Sequence, residues 1–249
     1  AYYTFKSISQ IQSNMSTKTC TVNTSLTVTN PKPSIAVLGT TFSIPISTAF
    51  KLTGSGTGTA GEVLTYCWEQ NDDATTVGGT STFPSPTKTN GPNFRSRVPS
   101  FSPVRFMPQF SDVLNGNLIP SWETTSSVAR TLNFALTVRD NRTPNGGQTK
   151  RDDMVLTLAN VGPFLVSSPN TAVSYVGGSS QTITWVVAGT TANNVNCANV
   201  DILISTNGGT TWSTLLTATP NDGTEAVTIP NTPGTTNRIM VKGTNHIFF

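Results

Sequence analysis

Apolar residues recur at helical spacing in one stretch of the chain and alternate with polar ones almost everywhere else. Phe5, Ile8, Ile11 and Met15 fall on one face of a helix over residues 5–15, with Ser7 or Ser9 as its cap. Residues 19–29 alternate instead, through Val22, Leu26 and Val28, which suits a strand or an extended linker. Asn30-Pro31-Lys32-Pro33 then marks a boundary, because each proline holds its neighbour out of helical geometry.

From residue 34 to about 159, strand-length segments follow one another: 35–37, 41–44, 50–53, 64–69, 131–138 and 154–158, separated by Gly and Asx turns. That rhythm predicts an immunoglobulin-like sandwich over 31–160. It breaks over 71–121, a Pro-, Ser-, Thr- and Asn-rich insertion far beyond ordinary loop length. The insertion is either a functional loop or an excursion packed by Phe94, Phe101, Phe106 and Phe110. A second module over 161–249 has strands at 164–166, 181–185, 200–205, 226–229 and 238–242 and reads as a fibronectin-type-III-like sandwich, one strand short of closure. The expected fold is all-β: two tandem sandwiches behind a short helix and linker over 1–30. Its expected cores are Leu64, Tyr66, Trp68, Phe134, Leu136 and Val138, then Ile183, Trp185, Ile202, Ile204, Ile229 and Met240, with Trp68 and Trp185 central.

Composition agrees. The 249 residues suit two domains with a leader, and only 11% are charged. Thr, Ser, Asn and Gly supply the polarity, which points to an extracellular, secreted or cell-surface chain. A net charge of +3 gives no concentrated basic field for nucleic acid. No apolar run approaches the roughly 18 residues of a membrane span, so no membrane insertion is expected. Cys20, Cys67 and Cys197 lie far apart, and their odd number leaves at least one thiol free or paired outside the chain. Opening on Ala1-Tyr2-Tyr3 and closing on Ile247-Phe248-Phe249, the sequence reads as a fragment of a longer protein.

The candidate chemistry is mostly negative. A zinc peptidase site needs two or three imidazoles and a Ser-His-Asp triad needs one as its base, yet His246 is the sole histidine. No catalytic residue and no cofactor are therefore expected within the chain. Asp140, Asp152 and Asp153 flank the last hairpin of the first module and are candidates for calcium, or else an ordinary turn and solvated charges. Asp72-Asp73 has the same two readings. Lys88, Arg95, Arg97 and Arg105 interleave with Phe94, Phe101 and Phe106. They form either a glycan-stacking platform, with Trp122 as a further candidate, or a loop whose rings anchor while its arginines stay wet.

Leu64-Thr65-Tyr66-Cys67-Trp68-Glu69-Gln70, Gly91-Pro92-Asn93-Phe94-Arg95-Ser96, Ser102-Pro103-Val104-Arg105-Phe106 and Thr137-Val138-Arg139-Asp140-Asn141 carry a resemblance. So do Ser168-Pro169-Asn170-Thr171, Gln181-Thr182-Ile183-Thr184-Trp185 and 196–203. Together they resemble the PKD-like and fibronectin-III-like region that follows the catalytic domain in secreted reprolysin-like (metzincin) zinc metallopeptidases of Bacteroidetes. The resemblance implies that residues 1–20 are the last helix and Cys-containing end of that catalytic domain, with the zinc site upstream and Cys20 parted from its partner. It also implies secretion by the type IX route. Gly58-Thr59-Ala60-Gly61-Glu62 departs from the Asp-rich turn common in such PKD-like domains, which weakens calcium there. Ser205-Thr206-Asn207-Gly208-Gly209-Thr210-Thr211-Trp212 is similar to a sialidase Asp-box, with Asn207 in place of the aspartate and Trp212 expected to pack inward as core.

The implied function is a non-catalytic accessory region, a spacer or a surface- or substrate-binding module, whose first partner is the upstream catalytic domain. Two alternatives stay open. One is a structural or adhesive surface protein, joined to a surface protein or another copy through an open sheet edge, with 21–29 as donor strand. The other is a carbohydrate-binding module.

Overall fold

The computed structural model describes residues 3–20, 30–36, 41–59, 61–73, 82–143 and 147–249. The proposed donor segment 21–29 lies outside them. Helix α1 (Phe5–Ser16) forms where the spacing placed it, but its cap is Thr4, whose Oγ1 accepts from the Ser7 amide at 3.4 Å, and neither Ser7 nor Ser9. Only Phe5 of the apolar face is buried; Ile11 and Met15 stand half in solvent.

In the first module β1 (Ser34–Ile35) pairs with β4 (Gly56–Thr57), and β3 (Phe50–Thr53) with β6 (Val104–Met107). The main sheet has the order β2-β8-β7-β5, from β2 (Phe42–Pro45), β5 (Thr65–Gln70), β7 (Arg130–Arg139) and β8 (Thr149–Ala159). All of its neighbours are antiparallel except β2 and β8, which run parallel. Leu132, Phe134, Leu136 and Val138 of β7 point to the core by simple alternation, facing Phe50 and Leu52 of β3. Ala135 and Thr137, on the other face, are buried as well. The reason is α1, which crosses that face: the Phe5 amide donates to Glu69 at 2.9 Å, and its ring lies 4.0 Å from the Arg151 guanidinium.

The second module packs the sheet β13-β10-β9 against β12-β11-β14. Its strands are β9 (Leu165–Ser168), β10 (Ser180–Val186), β11 (Asn199–Ser205), β12 (Ser213–Pro220), β13 (Thr224–Thr228) and β14 (Arg238–Gly243). Trp185 fills its core and donates to Asn221 at 2.8 Å, as Trp68 fills the first and donates to the Pro103 carbonyl at 2.9 Å. Leu64, Tyr66 and Met240, expected as core, are half-buried at its margin. β14 has one strand neighbour, β11, among the described residues.

The two modules share one hydrophobic core. The amide of Ile46 donates to Val161 at 2.9 Å, and that of Phe164 to Thr48 Oγ1 at 3.0 Å. Gly162 has φ +138, and a Cβ there would meet the Ile46 carbonyl oxygen at 2.3 Å, so only glycine fits. Residues 247–249 leave the second module and lie along β3. Lys51 donates to Ile247 at 2.8 Å and Phe249 to Ala49 at 3.1 Å, with Phe248 bridged to Phe50. No disulfide contributes. Cys67 and Cys197 are buried thiols and Cys20 is exposed.

Candidate functional site

Main-chain geometry builds the site first. β5 is the outer strand of its sheet, and an open edge is a liability. Residues 95–103 of the insertion run beside it. Tyr66 donates to Ser100 at 2.8 Å and Ser100 back to Tyr66 at 2.9 Å. Arg105, rooted on β6, reaches across to donate to the Trp68 carbonyl, and at 2.6 Å to that of Arg95. The edge is thereby occupied without a further strand.

Between this loop, β5, β6 and the short helix α2 (Phe110–Leu114) lies an open groove of about 270 Å³. Its walls combine apolar Val98, Val104, Phe106 and Phe110 with Ser100, Ser102, Gln109, Tyr66 and the guanidiniums of Arg97 and Arg105. Behind them sits Glu123, 2% exposed. Its Oε1 accepts from Arg97 Nε at 2.5 Å and Arg105 Nη2 at 2.9 Å, and its Oε2 from the Gln109 amide at 2.7 Å. Two arginines thus share one carboxylate. Burial pushes the Arg105 guanidinium below its usual range while Glu123 opposes that shift; it stays cationic. Burial likewise pushes the Cys67 thiol, on the groove wall, up to about 11, so it is neutral and unreactive at physiological pH.

The structure separates the expected binding residues. Arg97 and Arg105 line the groove, and Phe101, 73% exposed, stands between two of its serines. Phe94 is no platform: it is buried against Phe50 and Phe134 and anchors the insertion. Lys88 is occupied by the carbonyls of Thr82 and Pro92. Arg95 is exposed, and its amide donates to the Trp122 carbonyl. Trp122 lies elsewhere, half-exposed against Phe83 with ring centroids 5.3 Å apart. Glu123 and Gln109 were not singled out from the sequence. The available signal was scarcity, since Asp112 and Glu123 are the two acids that follow four basic residues in a chain with 12 acids.

The calcium candidates do not converge. Asp140 is buried, and its Oδ1 accepts from Gln148 at 2.8 Å and Arg142 at 3.2 Å, closing the hairpin. Asp152 and Asp153 pair across β7 with Leu136 and Ala135, three rungs and more from the Arg139–Thr149 rung, or roughly 10 Å. Asp153 is held by Arg151. Asp72 accepts from Asn133 and serves the sheet, while Asp73 pairs with Lys6 of α1. Among the described residues no three His, Cys, Asp or Glu side chains are grouped to hold a metal.

The Asp-box-like turn is a docking element. Asn207 Oδ1 accepts from Thr211 at 2.9 Å, and Trp212 donates to Gly209 at 3.0 Å. Trp212 is half-buried instead of central, edge-on to Phe110 at 6.1 Å. Phe110 stacks on Phe106 at 4.2 Å, and both meet Phe249. A Cβ on Gly209, φ +90, would come within 2.9 Å of Phe110, so the turn needs glycine to sit this close.

No family model matches the chain, and no curated protein matches it. Two solved structures are similar to it. One comprises domains from titin, 13% identical, with a TM-score of 0.27, covering 86% of this chain and 62% of that one. The other is Bacteroides ovatus SGBP-B of a mixed-linkage glucan utilization locus, in complex with a mixed-linkage heptasaccharide. It is 14% identical, with a TM-score of 0.23, covering 88% of this chain and 46% of that one. The chain therefore spans less than two thirds of the length of either. The assignment to immunoglobulin-like sandwiches rests on the sheets themselves. No helix among the described residues is long and apolar enough to cross a membrane.

His246, for which no catalytic role is expected, is wedged between Phe42 and Phe248 at 5.5 and 4.8 Å. Its Nε2–H donates to Val195 at 3.1 Å, and its buried Nδ1 has no partner. Burial lowers its pKa, so below about 6.5 the unfolded chain binds a proton that the folded chain resists. The sign is then fixed: stability is full above that pH and is lost as pH falls toward the folded value. Thermal melts of the wild type from pH 8 to pH 5 should show Tm falling below about 6.5. The His246→Gln variant should lose that component, and equal slopes for both would exclude it.

Proposed function

We propose that this chain is a non-catalytic accessory region of a secreted or cell-surface protein, a rigid two-sandwich spacer that also presents a binding groove. The parent protein is a zinc metallopeptidase of the reprolysin-like class, with its catalytic domain and its zinc ahead of this region. The observation that carries the non-catalytic reading is the state of His246: the sole imidazole lies between two phenylalanines, its free nitrogen buried. It is placed neither to ligate a metal with other imidazoles nor to take a proton from a nucleophile. Supporting the spacer reading, a shared core and strand-like pairing of 247–249 on β3 oppose hinge motion. The half-exposed Ile11 and Met15 on α1 supply an apolar face for the catalytic domain.

Two measurements test this. Mass spectrometry of the source protein should find a His-Glu-x-x-His segment ahead of residue 1. The purified 249-residue chain should cleave no peptide substrate; chelator-sensitive cleavage by it would overturn the reading.

A further inference from the structure

We infer that the groove between the β5 edge and the insertion binds an acidic sugar, a pyranose carrying a carboxylate, with Arg97 as its anchor and the buried charge of Arg105 behind it. This goes beyond the spacer reading and stands whether or not a peptidase domain precedes the chain.

Charge points to the anion. The groove holds two guanidiniums against the single carboxylate of Glu123, which leaves one positive charge unmatched. The side chain of Arg105 is 11% exposed, and its buried Nε–H has no acceptor within the protein. That nitrogen is closed off from the groove and the Nη groups are held by Glu123 and main-chain carbonyls, so Arg105 contributes positive charge behind the groove wall and no direct contact. Arg97, 41% exposed at the rim, gives Nε to Glu123, and its two Nη groups suit a bidentate carboxylate contact.

The remaining walls favour a sugar over a peptide. Ser100, Ser102 and Gln109 offer hydroxyl and amide partners, while Val98 and Phe106 offer apolar surface, a pairing that matches a pyranose with its C–H face and hydroxyl rim. At about 270 Å³ the groove lies just under the usual 300–1,000 Å³ of small-molecule sites, room for one such ring. An extended acidic peptide would seek the β5 edge for its main chain. Ser100 and Arg105 already occupy that edge.

Calorimetric titration of the whole chain tests this with trigalacturonic acid, with maltotriose as the neutral sugar and with triglutamate as the acidic peptide. Trigalacturonic acid should bind, more weakly as salt rises. Maltotriose and triglutamate should bind at least tenfold less well. Arg97→Gln, a rim change that leaves Arg105 paired with Glu123, should weaken trigalacturonic acid about tenfold, the scale of one charge-assisted contact. Trp122→Ala, away from the groove, should change nothing. No binding of trigalacturonic acid would overturn the inference. Equal or tighter binding of maltotriose or triglutamate, or an unchanged Arg97→Gln affinity, would do the same. The peptidase reading is judged separately, by cleavage and by the upstream sequence.

Discussion

Glu123→Ala should destabilise the chain by about 3–5 kcal/mol and lower Tm by roughly 6–20 °C, although it removes one small acid from a loop. Its carboxylate is the common acceptor for Arg97, Arg105 and the Gln109 amide. Truncation leaves the Arg105 guanidinium buried beside the Trp68 and Arg95 carbonyls with its charge uncompensated, and leaves the Gln109 N–H unpaired. That differs from loss of an exposed ion pair, where about 1 kcal/mol or less is at stake. Glu123→Gln, which keeps the volume and one acceptor, should cost less. Adding Arg105→Met to Glu123→Ala should restore part of the loss, because the orphaned charge goes with it. Urea unfolding of the wild type, Glu123→Ala, Arg105→Met and the double variant measures this cycle, with Glu123→Gln beside it. A Glu123→Ala loss below about 1 kcal/mol would show that the loop is not held by this acid.

That acid marks where sequence reading ended. Strands whose apolar residues alternate, such as β7 and the 154–158 part of β8, were legible because one face of each supplies the sandwich core. β12 was not. Its Leu215 and Leu216 are adjacent and both half-buried, Ala218 has φ +54, and pairing with β11 shifts register twice, so no period of two survives. β6 is four residues within a Pro-rich insertion and is recognisable only through its partner β3. The candidate site was legible in part for a related reason. Arg97 and Arg105 announced themselves by charge, but which phenylalanine is anchor and which is rim depends on three-dimensional packing. Phe94 and Phe101 look alike in sequence, yet one is 2% exposed and the other 73%. The apolar end at 247–249 lies along the edge of β3 in space. A segment that pairs with a strand nearly two hundred residues earlier leaves no local signature.

Because of that long-range pairing, Phe248→Ala should be as damaging as any substitution in the chain. Phe248 is fully buried, 4.9 Å from Phe164 at the start of the second module and bridged to Phe50 in the first. It belongs to both cores at once. Truncating such a ring costs about 3–5 kcal/mol through lost burial and the cavity left behind. Here the cavity opens at the joint, so the consequence is also one of cooperativity. The wild type, with one shared core, should unfold in a single calorimetric transition. Phe248→Ala should lower Tm and split the transition in two as each sandwich melts alone. Phe249→Ala also faces the joint, but from the half-exposed cluster with Phe106 and Phe110, and should lower Tm less without splitting it. A single transition at the wild-type Tm for Phe248→Ala would mean that the sandwiches are coupled elsewhere. The contacts of Gly162 with Ile46 and of Gly209 with Phe110 are among the other joints, and Gly162→Ala would then be the variant that separates the two melts.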